Sequence, residues 1–148
     1  MQIEVDQSGK IGKTDVDTVL ALSNDKSYTI CIPRKVKQAC LLQLRAKGLQ
    51  PITIYMRLFA VGLYFLLRDY IARVQGIVID VEYPGKERQI KEYLFNLLHR
   101  AGIDTQGASV VFAYIGKRSS AHSTAIAVFR GKRRADLTLT VEEVFEQF

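Results

Sequence analysis

The sequence predicts a single α/β domain over residues 1–148, in which a mixed five-stranded sheet is flanked by helices. Three short strand patterns open the chain, and their short connections are typical of antiparallel neighbours; they lie at 2–11, 18–24 and 27–33. Two later apolar runs, at 76–83 and 108–116, are typical of strands covered on both faces. The first of these is expected to lie beside the first strand and parallel to it.

Helical patterns separate and follow these strands. A helix is predicted at 34–47, a buried helix from Pro51 to about residue 74, and a strongly periodic helix at 86–102. The segment 119–131 fits a helix or a hairpin strand, and a helix is favoured. Thr140 and Glu143 have the spacing of a capping box, which predicts a short helix near the C-terminus.

Composition and charge narrow the function classes. Hydrophobic residues make up 48% of the chain and charged residues 24%, which excludes disordered and fibrous proteins. The net charge of the chain is +6, and this positive charge favours a partner that carries phosphate groups. Two isolated cysteines, Cys31 and Cys40, indicate neither a zinc site nor a disulfide framework.

A membrane location is not predicted. The most apolar segment has only ten uncharged residues in a row, 58–67, whereas a membrane span needs about 20. The first ten residues lack the basic and apolar segments of a signal peptide, so a cytoplasmic protein is expected by default.

The candidate active-site residues lie on two strands that carry carboxylates and at the start of one helix. Asp6 follows the first strand pattern in VDQSGKIG, and IVIDVEY offers Asp80 with Glu82 two residues on, on the same strand face. In SSAHSTAIA at 119–127, His122 lies in the first turn of the favoured helix. Two carboxylates from neighbouring strands can hold Mg²⁺ or Mn²⁺ against a phosphate, which is the chemistry that phosphodiester hydrolysis requires.

These residues and the order of the elements resemble the ribonuclease-H-like superfamily, which includes ribonucleases H, Holliday-junction resolvases and Argonaute nuclease domains. In resolvases of that superfamily the last helix begins D-x-x-D-A-[LI]-A. The resemblance covers residues 2–130 and implies a Mg²⁺- or Mn²⁺-dependent nuclease that acts on structured DNA or RNA. It implies Asp6, Asp80, Glu82 and His122 as catalytic residues and metal ligands.

Basic residues near these positions are candidates for binding the nucleic acid. Lys10 and Lys13 follow Asp6, and Lys117 and Arg118 follow the last strand. Such groups bind phosphates without reading the base sequence. The basic cluster 130–134 is more typical of a solvated loop; the alternative is that it extends this set together with two further lysines, Lys35 and Lys37.

Two alternatives stay open. Ser119 stands where the resolvase motif has its first Asp, so a binding or scaffold domain of the same fold, without catalysis, is the second hypothesis. The third is a small nucleotide-binding protein, because SGKIGKT at 8–14 is similar to a phosphate-binding loop. However, Gln7 replaces the first glycine of that motif. The oligomeric state is open, with a homodimer as one alternative.

Overall fold

The computed structural model describes residues 2–24 and 26–148. It contains six strands and five α-helices within those ranges, together with a 3-10 turn at Ile71–Arg73. In chain order they are β1 Gln2–Ser8, β2 Thr18–Ser23, β3 Ser27–Ile32, α1 Arg34–Ala46, α2 Pro51–Leu67, β4 Gly76–Asp80, α3 Glu87–Arg100, β5 Ser109–Ala113, α4 Ser120–Phe129, β6 Leu137–Thr138 and α5 Val141–Phe145.

All six strands form one mixed sheet in the order β5-β4-β1-β2-β3-β6. β1, β2 and β3 pair antiparallel, because the connections between them are too short for a crossover. β4 pairs parallel with β1 and β5 parallel with β4, and helices connect these strands. The α/β class, the antiparallel N-terminal strands and the parallel later strands are therefore confirmed. The sheet has six strands, not the expected five.

One face of the sheet carries most of the hydrophobic core. Alternation along β1 places Ile3 and Val5 on this face, where they join a cluster with the buried side chains of α1, α2, α3 and α5. α2 is apolar nearly all round because it lies between the sheet and other helices. It approaches the sheet closely at Gly62, where an added Cβ would lie 2.7 Å from Leu20 Cδ1. No helix in the described ranges is long and apolar enough to cross a membrane.

Among the residues that the structure describes, a single helix, α4, lies on the opposite face. This helix packs mainly against β1, β2 and β3. One of its two buried alanines, Ala125, forms a small separate cluster with Val19 and Ala21 of β2. The small side chains let the helix lie close to the sheet. β4 and β5 extend beyond α4, so the outward-facing Val111 of β5 is 48% exposed.

This arrangement corrects the expectation for the two parallel strands. β4 and β5 were expected to be covered on both faces, but both alternate between buried and accessible residues. β5 is an edge strand. Lys91 of α3 donates to the carbonyl oxygen of Val110 in β5 at 3.1 Å, and so binds a backbone acceptor of this edge.

The other edge is closed by the C-terminal segment. β6 pairs parallel with β3 over two residues. Asp136 fixes this short strand, because its Oδ2 accepts from the backbone nitrogen of Thr29 at 2.9 Å and from the Thr29 hydroxyl at 3.1 Å. α5 follows and begins with the predicted capping box of Thr140 and Glu143.

Candidate metal and nucleic-acid site

The site begins at Asp6, which lies on the α4 face of the central strand β1. Its side chain is only 4% exposed. Asp6 Oδ1 accepts from the backbone nitrogen of Gln7 at 2.8 Å. A buried carboxylate needs such partners, because leaving water without them is costly.

Asp80 lies next to Asp6 at the end of β4. The pairing of Val5 with Ile79 sets this register, so the residues that follow them are neighbours on the same face. Asp80 Oδ1 accepts from the backbone nitrogen of Ile115 at 2.8 Å. Burial raises the pKa of Asp80 and the nearby Asp6 raises it further, whereas the hydrogen bond from Ile115 acts in the opposite direction.

Glu82 completes a group of three carboxylates. It lies two residues beyond the end of β4, and is half-buried. Oxygen atoms of Asp6, Asp80 and Glu82 all lie within 4.8 Å of one another. Burial, together with the charges of Asp80 and Asp6, raises the pKa of Glu82 to about 7. The structure therefore brings together the three carboxylates that the sequence analysis selected, and their crowding makes the group poor at holding three negative charges by itself.

His122 reaches the same site from α4. Ser119 is the N-cap of this helix, and its side chain accepts from the backbone nitrogen of Ala121. The favoured helix is thereby confirmed over the hairpin strand. In the first turn of α4, Nδ1 of His122 lies 2.7 Å from Oδ2 of Asp6. Which of the two atoms donates in this hydrogen bond depends on the tautomer of the ring. His122 thus binds Asp6 directly, and its role as a metal ligand stays a prediction.

Glu4 was missed by the sequence analysis. Its Oε1 accepts from the hydroxyl of Ser119 at 3.1 Å, so it ties β1 to the start of the helix that carries His122. The signal was present in the alternation of the first strand, because residues 4 and 6 of a strand share a face. The serine at position 119 thus has a capping and bridging role where the resolvase motif has an aspartate.

Two of the predicted basic residues, Lys10 and Lys13, lie in a loop beside Glu82. Lys10 and Lys13 are exposed in the loop 9–17 between β1 and β2. They line a cavity of about 340 Å³ together with Gly12, Glu82 and Tyr83. Positive charge therefore borders the acidic group on one side.

Lys117 and Arg118 are exposed in the loop between β5 and α4. Lys35 is exposed on α1, but Lys37 is only 1% exposed and does not belong to a surface track. The set of surface cations is one lysine smaller than the sequence suggested.

The loop 9–17 does not have the geometry of the phosphate-binding loop that the nucleotide-binding alternative requires. In a phosphate-binding loop the glycine-rich turn leads into a helix, whose N-terminus holds the phosphates. Here the loop 9–17 leads into β2, which begins at Thr18 and pairs antiparallel with β1. The amide-lined cradle of that motif is therefore not formed at Lys13.

Comparisons with known proteins give no independent identification. No family model, no curated protein and no solved structure matches this chain. The interpretation of the site consequently depends on its own geometry and chemistry.

Proposed function

We propose that the protein is a metal-dependent nuclease of ribonuclease-H-like fold, which hydrolyses phosphodiester bonds in structured DNA or RNA. The observation that carries this proposal is the convergence of Asp6, Asp80 and Glu82, whose oxygens approach within 4.8 Å. They come from two strands and a following loop that lie more than seventy residues apart in the chain. A cytoplasmic location of the protein stays a prediction.

The donor set fits a hard divalent cation. Mg²⁺ and Mn²⁺ prefer carboxylate oxygens, and three such groups offer them here. The raised pKa values of Glu82 and Asp80 support this fit, because a cation among the carboxylates would offset the burial and the mutual repulsion that favour their protonated forms. When bound, the metal supplies Lewis acidity that activates water and stabilises charge on the phosphate.

The protein side chains have separable roles in this proposal. Asp6 and Asp80 hold the cation from adjacent strands, and their backbone donors, Gln7 and Ile115, keep both carboxylates oriented. His122 holds the second oxygen of Asp6 through its Nδ1, at 2.7 Å. Lys10 and Lys13 attract the phosphate backbone to this part of the sheet.

A metal titration tests the site directly. Thermal melting with increasing Mn²⁺ or Mg²⁺ is expected to raise the melting temperature of the wild type, because the folded state alone presents the assembled ligands. Asp80→Asn should lose this stabilisation. The matched control is Glu92→Gln on the exposed surface of α3, which should retain it.

Cleavage provides the second measurement. Labelled four-way DNA junctions and RNA–DNA hybrids should be cut only with metal present, and Asp6→Asn should reduce the rate by about 10²-fold or more, since a metal supplies several kcal/mol to such reactions. Cleavage that persists in Asp6→Asn and Asp80→Asn would disprove the assignment of the active site.

The second candidate is a nucleic-acid-binding or scaffold domain that lacks catalysis. The specific observation in its favour is Ser119, which caps α4 and contacts Glu4 instead of adding a carboxylate. This candidate predicts nucleic-acid binding without metal-induced stabilisation and without cleavage. The melting experiment therefore separates the two candidates.

A further inference from the structure

Lys37 is a buried lysine on the first helix, with no place in the carboxylate site. Its side chain is 1% exposed, although it lies in a helix whose neighbouring turns are partly solvated. Its Nζ donates to the carbonyl oxygens of Lys10 and Lys13, at 3.2 and 2.8 Å, and to the hydroxyl of Thr18 at 3.0 Å. All three donor positions of the ammonium are used.

These partners belong to one structure, the loop 9–17 with the first residue of β2. Two more contacts connect α1 to this loop: the backbone nitrogen of Arg34 donates to Asp17 Oδ1, and Gln38 Nε2 donates to the carbonyl oxygen of Thr14, both at 2.9 Å. The two ends of the loop, at Gly9 and Asp17, also lie close together. Gly9 has φ +77°, and an added Cβ there would lie 2.1 Å from the carbonyl oxygen of Asp17.

Stability alone does not account for a lysine at this position. Burial lowers the pKa of Lys37 to about 8, so the charged form is disfavoured by its surroundings despite the nearby Asp17 and Asp15. Replacing a buried charge with a well-packed apolar side chain is often neutral or stabilising. What an apolar side chain cannot do is bind two carbonyl oxygens of one loop at the same time.

We propose that Lys37 is a positioning residue, which holds the loop 9–17 so that Lys10 and Lys13 stand beside Glu82 and bind backbone phosphates of the substrate. The two carbonyls that Lys37 binds belong to the two lysines themselves. Fixing these backbone positions therefore fixes where both side chains leave the loop and enter the wall of the 340 Å³ cavity. The nature of the ligand rests on the proposed function, whereas the ordering of the loop does not.

The salt dependence of binding tests this role. Affinity for a labelled four-way DNA junction is measured in EDTA, so that no cleavage occurs, over a range of salt concentrations. Each phosphate contact contributes about 0.9 to the slope of log K against log salt. The double variant Lys10→Met, Lys13→Met is expected to reduce the slope by about 1.8, and Lys37→Met should reduce it by up to the same amount.

The combination of all three substitutions is the decisive variant. If Lys37 acts through Lys10 and Lys13, the triple variant should bind as the double variant does, because the interactions form one unit. The matched control is Lys35→Met, an exposed lysine two residues away on α1, which should leave loop exchange unchanged and add its own independent effect on binding. If the effect of Lys37→Met on the binding free energy adds fully to the effect of the double variant, the proposal is wrong.

Hydrogen exchange of the loop amides separates this proposal from the proposed function. Lys37→Met should accelerate exchange across 10–17, whether or not the protein cleaves nucleic acid, and Lys35→Met should not. Unchanged exchange in Lys37→Met would reject the positioning role. Loop loosening in a protein that binds no nucleic acid would instead reject the function and the ligand.

A milder variant keeps the test valid if Lys37→Met does not fold. Thr18→Val conserves shape and removes one of the three acceptors of Lys37. We expect faster exchange in the loop and a smaller fall of the salt slope, with cleavage showing a raised KM and an almost unchanged kcat. A fall in kcat with unchanged KM would contradict the positioning role.

Discussion

The two faces of the sheet differ in what covers them and in the residues they carry. One face packs against α2 and shares a large cluster of buried aliphatic and aromatic side chains with α1, α2, α3 and α5. Within residues 2–24 and 26–148, the other face has one helix, α4, a small cluster around Ala125, and the polar group of Asp6, Asp80 and His122. The fold can therefore be stabilised on one side, while the opposite side accommodates buried carboxylates that contribute little to stability. The following predictions test this division.

The largest difference is expected between matched valines on the two faces. Val5 and Val19 are both 1% exposed, but Val5 lies in the large core and Val19 in the small cluster under α4. Val5→Ala should lower the free energy of unfolding by about 2–3 kcal/mol, and Val19→Ala by about 1 kcal/mol, because the edge of a short helix relaxes more easily around a cavity. Denaturant unfolding measures both. Equal losses would show that the two faces stabilise the fold alike.

His122 should matter more for activity than for folding. His122→Ala removes the partner of Asp6 Oδ2 and should reduce cleavage by about 10- to 100-fold, which is typical for residues that orient a metal ligand. The matched control is His99→Ala: His99 is exposed and contacts Thr105 at 3.0 Å, far from this chemistry in the chain. If His122→Ala cleaves at the wild-type rate, His122 is not part of the active site.

The carboxylate face should also respond to pH in a defined direction. The pKa of Glu82 rises from its usual 4.5 to about 7 on folding, so the folded state binds more protons between these values. The stabilising contribution of protonated Glu82 is complete below pH 4.5 and is lost as the pH rises through 7. In metal-free buffer at pH 8, Glu82→Gln should therefore melt at a higher temperature than the wild type. A lower melting temperature at that pH would contradict the crowding of the carboxylates.

The smallest effect is expected at the edge of the sheet. Lys91→Met removes the hydrogen bond to the Val110 carbonyl and should cost about 0.5–1.5 kcal/mol in unfolding experiments. It also leaves an unpaired acceptor on β5, so sedimentation should show more self-association than in the wild type. Arg88→Met, on an exposed position of the same helix, is the control.

Local patterns were sufficient to predict most of the elements and the two strands that carry Asp6 and Asp80. They were not sufficient where the burial or pairing of a strand depends on a segment that is distant in the sequence. The apolar runs of β4 and β5 suggested cover on both faces, but α4 is too short to reach β5, and Val111 stays exposed. β6 has only two residues, so no periodicity could reveal it. Its position depends on the side chain of Asp136.

The site was predictable as a set of residue types, but not as a set of contacts. Asp6 and Asp80 were selected by their positions in the two strands and by the resemblance to the ribonuclease-H-like superfamily. Alternation then added Glu82, because residues two apart in a strand share a face. The contact of His122 with Asp6 depends on how α4 crosses the sheet. Lys37 resembled a surface cation by composition, although its spacing to Cys40 and Leu44 places it on the apolar side of its helix.

The late position of Asp136 in the chain has a consequence for synthesis on the ribosome. The backbone of β3 is complete early, yet the segment that closes its outer edge is separated from Thr29 by 107 positions. At roughly 5–20 residues per second, the nascent chain displays an uncovered strand for about 5–20 s. A stalled or shortened product that ends before Asp136 would leave that strand edge uncovered, and we expect such a product to pair with other chains more readily than the full-length protein.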